Sequence, residues 1–179
     1  MAAIGVYFGS SSGNTEDAAE SIAQALGGGV SATNITDTTA DEILENDVII
    51  FGVSTWGTGD LQDDFEDFMP TLEDMDFSGK KVALFGLGDQ ENYPDTFVDA
   101  MGTVGKACRE AGATLVGSTG TDGFSFDSSE AVENGKFMGL ALDEDNQSEQ
   151  TQDRITAWVE QIKAEVSPFV SRLPARTVD

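Results

Sequence analysis

The sequence predicts an α/β protein: a doubly wound, five-stranded parallel sheet with helices on both faces and an insertion that splits the last strand. Three observations carry this. Short apolar, β-rich runs alternate with longer segments of helical period. Runs such as "AIGVYF" (3–8) and "DVIIFGV" (47–53) lack polar alternation, as strands covered on both faces do. The alternation then fails over residues 118–150, a Gly-, Ser- and Asp-rich stretch in which one apolar run, "FMGLAL" (137–142), returns.

The elements follow in order. After the first strand, Ala18, Ala19, Ile22, Ala25 and Leu26 recur at helical spacing until "GGG" (27–29) stops the helix. "VSATNI" (30–35) is a weaker, more exposed strand, and Ile43 and Leu44 mark a short acidic helix before the strand at 47–53. Phe65, Phe68, Met69 and Leu72 mark the next helix, and "KKVALFGLG" (80–88) the fourth strand. Phe97, Ala100, Met101, Val104 and Cys108 share a helix face that ends at "AGA" (111–113), and "TLVGS" (114–118) is the fifth strand. Ile155, Trp158, Val159, Ile162 and Val166 form the last helical stripe. The expected domain is 1–167, with the insertion over about 119–141. Residues 168–179, with two prolines and no periodicity, are expected to fray.

Composition excludes several functions. The 33 acids and 9 bases give a net charge of −24, which repels nucleic acid and anionic membranes and favours basic partner surfaces. There is no histidine, so the commonest metal ligand and any Ser-His catalytic pair are missing. The single Cys108 allows no internal disulfide, and no leader-like or membrane-spanning run is present. A cytoplasmic protein without a metal or catalytic group, acting as a monomer, is expected.

Ligands of open α/β sheets sit at the carboxyl ends of strands, near the point where strand order reverses. Three loops leave such ends: "GSSSGNT" (9–15), "STWGTGD" (54–60) and "GDQENYPD" (88–95). The first feeds a helix N-terminus, where free N–H groups and the helix dipole accept an anion. Ser10, Ser11, Ser12, Asn14 and Thr15 add neutral donors, and Gly13 lets the backbone approach closely. The loop lacks the lysine of a P-loop, and no Lys or Arg precedes Lys80. A single phosphate held by hydroxyls and amides suits it better than a polyphosphate; a plain polar turn would also explain the serines. The other two loops contribute one aromatic each, Trp56 and Tyr93, between which a flat ring system could lie.

Together these residues resemble the flavodoxin family, long-chain subgroup. Ser10-Ser11-Ser12-Gly13-Asn14-Thr15 matches its phosphate loop, Thr55-Trp56-Gly57-Thr58-Gly59-Asp60-Leu61 its tryptophan stretch, and Gly86-Leu87-Gly88-Asp89-Gln90 with Tyr93 its third motif. The stretch from Ser118 is similar to the subgroup's strand-splitting insertion, and Ser54 replaces a frequent proline. The resemblance implies a low-potential one-electron carrier with non-covalent FMN. It would place the phosphate on residues 10–15 and the isoalloxazine between Trp56 and Tyr93. Ser54, Thr55, Gly57, Thr58, Gly59, Gly88, Asp89 and Gln90 would surround the ring, with Asp145 beside the ribityl chain. Gly57 would supply a position tolerant of positive φ where the family turns a peptide toward the ring. Partners would be basic redox proteins, a flavodoxin reductase and the nitrogenase reductase component among them.

The acids Asp60, Asp63, Asp64, Asp67, Asp89 and Glu91 crowd the expected mouth. Even ~1 kcal/mol of charge repulsion moves a one-electron potential by roughly 40 mV, so such a rim makes a stronger reductant. An FMN-dependent NAD(P)H or quinone oxidoreductase on the same scaffold would call for cations in these loops, which hold none. A phosphoacceptor receiver domain would need acids, not serines, at the end of the first strand.

Overall fold

The computed structural model describes residues 3–11 and 13–171. Its strands are β1 (Ile4–Phe8), β2 (Ala32–Asn34), β3 (Val48–Trp56), β4 (Asp60–Leu61), β5 (Lys81–Leu87), β6 (Thr114–Val116), β7 (Thr119–Gly120), β8 (Val132–Glu133), β9 (Lys136–Phe137) and β10 (Leu140–Leu142). The helices are α1 (Asn14–Leu26), α2 (Ala40–Leu44), α3 (Asp63–Glu73), α4 (Asp99–Glu110) and α5 (Thr151–Ser171).

The main sheet runs β10-β5-β3-β1-β2, and these neighbours are all parallel. β6 pairs with the first half of β5 (Lys81↔Thr114) and β10 with its second half (Leu140↔Phe85). The fifth strand is therefore one position in the sheet filled by two pieces, as the returning apolar run at 137–142 suggested. The interruption between Val116 and Leu140 folds into its own small antiparallel sheet, β7-β9-β8. Strand order reverses between β1 and β3, so the loops leaving these two strands diverge and open a crevice between them.

Alternate side chains of the central strand go to opposite faces. Ile49, Phe51 and Val53 of β3 enter the core beneath α3 and α4, whereas Val48 and Ile50 enter the core beneath α1 and α5. The α5 stripe of Ile155, Trp158, Val159, Ile162 and Val166 is buried in the second of these. Anchored by that stripe, α5 runs to Ser171, past Ser167 where the domain was expected to end. Residues 172–179 of the expected frayed tail lie outside the described residues.

Further boundaries differ from expectation: β3 runs on to Trp56, past residue 53. β6 stops at Val116, because Gly117 turns with φ +82° and the chain leaves for the insertion. Phe97 precedes α4 rather than sharing its face; its ring packs at 5.4–5.9 Å from Phe126, Phe124 and Phe137, which joins the insertion's aromatics to the core beneath α3 and α4.

Candidate functional site

The three strand-end loops meet. Asn14 and Thr15, Ser54 to Gly57, Gly88, Asp89 and Tyr93, joined by Leu87, Glu144 and Asp145, line one open cleft of about 280 Å³ at the carboxyl edge of the sheet. Trp56 and Tyr93 are 45% and 46% exposed, and they are the two large exposed hydrophobic residues among those described. The other large hydrophobic side chains whose burial is described are buried or partly buried, so these two stand out as a surface for a ligand to cover.

The phosphate-type loop is built by its own hydrogen bonds. Gly13 caps α1 in a left-handed conformation, φ +92°. Its N–H donates to Ser10 Oγ at 3.0 Å, while Gln62 Nε2 donates to Ser11 Oγ at 3.0 Å. Each serine oxygen thus accepts a bond from the protein and keeps its own O–H to donate. The opening N–H groups of α1 have no partner within the helix and face the same way. Two donating hydroxyls and a helix N-terminus, with Thr15 buried beside them, suit an anionic group. Ser12 lies outside the described residues.

The tryptophan loop is tied at both ends. Trp56 Nε1 donates to Ser54 Oγ at 2.8 Å, and Thr55 Oγ1 accepts from the Ala100 N–H at 3.0 Å, at the start of α4. β4 folds back on β3 with Trp56 opposite Asp60, closing a tight turn that puts Gly57 at φ +52°. Thr58 points to solvent and Gly59 packs by the Asp99 carboxylate; neither lines the cleft.

In the third loop Asp89 organises the turn: its carboxylate accepts from the N–H groups of Glu91 and Asn92, and its carbonyl from the Tyr93 N–H. Slight burial pushes the Asp89 carboxyl up, but the bonds from Asn92, Asn146 and Glu91 outweigh it and hold the group below its usual range. Asp145 is shifted the other way, first by burial and then by the charges of Asp89 and Asp143. Gln90 departs from expectation. It is buried, its N–H and Nε2 both donate to Asp143, and its Oε1 accepts from the Ser125 N–H, so it supports the loop from behind.

Gln62, Glu144, Asp143 and Asn146 escaped the sequence reading. Gln62 is 2% exposed, caps α3 through Phe65 N–H and braces Ser11, a role that the polar residue before an acidic helix start could have signalled. Cys108 is deep in the core, and burial pushes its thiol up to about 12, which leaves no reactive thiolate. Among the described residues no helix is long and apolar enough to cross a membrane.

Fold and cleft together define a doubly wound α/β protein with an anion-accepting loop and an aromatic-flanked crevice at the switch point. The model of the family described as flavodoxin matches residues 6–158, and the chain belongs to that family, itself a standard example of ligand binding at such a switch point. It is 46% identical over 165 residues to a flavodoxin of Synechocystis sp., which covers 91% of this chain and 97% of the other. It is 44% identical over 168 residues to a flavodoxin of Klebsiella pneumoniae, covering 93% and 96%. The structure of Fusobacterium nucleatum flavodoxin bound to flavin mononucleotide superposes with a TM-score of 0.87 at 31% identity, over 92% of this chain and 99% of that one.

Proposed function

We propose that this flavodoxin carries single electrons on one non-covalently bound FMN. Flavodoxins are electron-transfer proteins rather than enzymes, and the observation that carries the cofactor is the pairing of an anion-accepting loop with two exposed aromatics across one cleft. The hydroxyls of Ser10 and Ser11 and the N-terminus of α1, with Ser12, Asn14 and Thr15, hold the phosphate. Trp56 and Tyr93 flank the ring, and backbone groups of Gly57, Gly88 and Asp89 meet its polar edge. Asp145 stands toward the ribityl chain.

Bound FMN supplies the one-electron chemistry; the chain sets its energetics. Asp89, Glu144 and Asp145 line the cleft with negative charge, Asp60 stands beside Gly57 at its edge, and no cation among the described residues lines it. Added negative charge there is disfavoured, which keeps the carrier a strong reductant. The two aromatic side chains exclude water from the faces they cover.

The net charge of −24 selects electron partners with basic docking surfaces, such as a flavodoxin reductase or the nitrogenase reductase component, in the cytoplasm, with the protein acting as a monomer. Exposed charges are screened beyond about 8 Å at physiological salt. Reduction by a basic reductase should therefore slow as salt rises, and slow further when Asp60, Asp63 and Asp64 are all replaced by Asn. The cofactor is tested by colour and chemistry: the purified protein should be yellow and release FMN, not riboflavin or FAD, on acid precipitation. A colourless protein that takes up no added FMN contradicts the reading.

A further inference from the structure

Behind the Tyr93 loop lies a charged group that the cleft itself does not use. Asp143 directly follows β10 and is completely buried. No Lys or Arg among the described residues pairs with it; Arg154, on α5, feels its charge from beyond ion-pair distance. Neutral donors satisfy it instead. Its Oδ2 accepts from Gln90 N at 3.1 Å, Gln90 Nε2 at 2.7 Å and Asn146 Nδ2 at 2.9 Å. Its Oδ1 accepts from the Asn146 N–H and from Asn146 Nδ2, both at 3.1 Å.

These donors belong to two segments that line the cleft. Gln90 sits within the Asp89–Tyr93 turn, and Asn146 adjoins Glu144 and Asp145. Asn146 Nδ2 also reaches Asp89 Oδ1 at 2.8 Å, which closes the link between the two segments. Burying a carboxylate without a cation is costly, and an apolar residue would fill the space without that cost. A carboxylate is an acceptor only, so it can gather five N–H contacts at one point; an amide there would set donor against donor. The arrangement makes sense where loop position matters more than stability.

We propose that Asp143 is a positioning residue of the flavin cleft: through Gln90 and Asn146 it holds the Tyr93 turn and the Glu144–Asp145 segment in place before the flavin binds. This rests on the FMN reading above. The phosphate loop shares no hydrogen bond with this cluster, so the effect falls on the ring and ribityl parts that FMN and riboflavin share.

The test is a fluorescence titration of flavin-free parent, Asp143→Asn and Gln90→Leu with FMN and with riboflavin, each variant first checked for parental circular dichroism. Gln90→Leu keeps the carboxylate and cuts the side-chain link, so it decides the matter if Asp143→Asn does not fold. Both folded variants should bind FMN and riboflavin about tenfold or more weakly, by the same factor, so that the ratio of the two affinities stays parental. Thr15→Ala, as a contrast, should change that ratio. A folded Gln90→Leu with both affinities within about twofold of the parent overturns the assignment, as does a loss confined to FMN. A parent that binds neither flavin overturns the FMN reading itself, and is visible separately in the first titration.

Discussion

The indole Nε1 of Trp56 donates to the hydroxyl of Ser54, two residues earlier on the same strand, at 2.8 Å. This bond fixes the orientation of an aromatic ring that is 45% exposed and has no packed core to hold it. The proline frequent at position 54 in the family cannot make it, so here a side-chain bond replaces a backbone restraint.

Ser54→Ala should free the indole. A hydrogen bond of this kind contributes about 0.5–1.5 kcal/mol, and partial exposure places it at the lower end. FMN affinity should fall by roughly two- to fivefold, and the emission of Trp56 in the flavin-free protein should shift to the red. Trp158, buried in the core, supplies an unchanged reference. Unaltered affinity and emission would show that the bond holds nothing.

Gly57 carries φ +52°, and a Cβ there would meet nothing nearer than Asp60 Oδ2 at 3.7 Å. Space is available, so the penalty of a side chain is that of the left-handed backbone, about 1 kcal/mol. From the sequence alone, Gly57→Ala would be expected to act on the turning of the peptide upon reduction and to spare affinity for oxidised flavin. The left-handed geometry already present in this loop changes that expectation. Gly57→Ala should weaken oxidised FMN by about fivefold, and Gly57→Asn, which tolerates the conformation, should recover most of the loss. Equal losses for alanine and asparagine would contradict the backbone explanation.

The Asp145 carboxyl is held above its usual range, by burial first and by the charges of Asp89 and Asp143 after it. A carboxylate with a raised folded-state pKa binds its proton more tightly folded than unfolded. Stability therefore falls as pH rises from the unfolded value, about 3.9, through the folded one, and stays lower above it. Asp145→Asn should raise the urea midpoint at pH 7 and lose that advantage near pH 3.5. The gain is small, because the group is largely exposed and solvent-screened. A lower midpoint at pH 7 would contradict it.

Much of this arrangement was legible in the sequence, for identifiable reasons. The split fifth strand showed itself because the apolar run at 137–142 returns after a polar insertion, and two strand pieces need two apolar runs. The site loops were legible because Gly13, Trp56 and Tyr93 lie where apolar strands end. What escaped was the inward support. Gln62, Gln90, Asp143 and Asn146 are polar residues in polar loops, and nothing local distinguishes one that faces water from one buried against a neighbour 53 positions away, as Gln90 is with Asp143. Burial of polar groups is decided by tertiary contacts, which leave no period in the sequence.

The central claim is that a monophosphate flavin is held by hydroxyls, amides and a helix N-terminus without a cation. The most direct measurement compares dissociation constants for FMN and riboflavin in the parent and in Thr15→Ala. The account predicts that riboflavin binds far more weakly than FMN, and that Thr15→Ala weakens FMN by about 1–3 kcal/mol while leaving riboflavin nearly unchanged. Equal constants for the two flavins in the parent would contradict it.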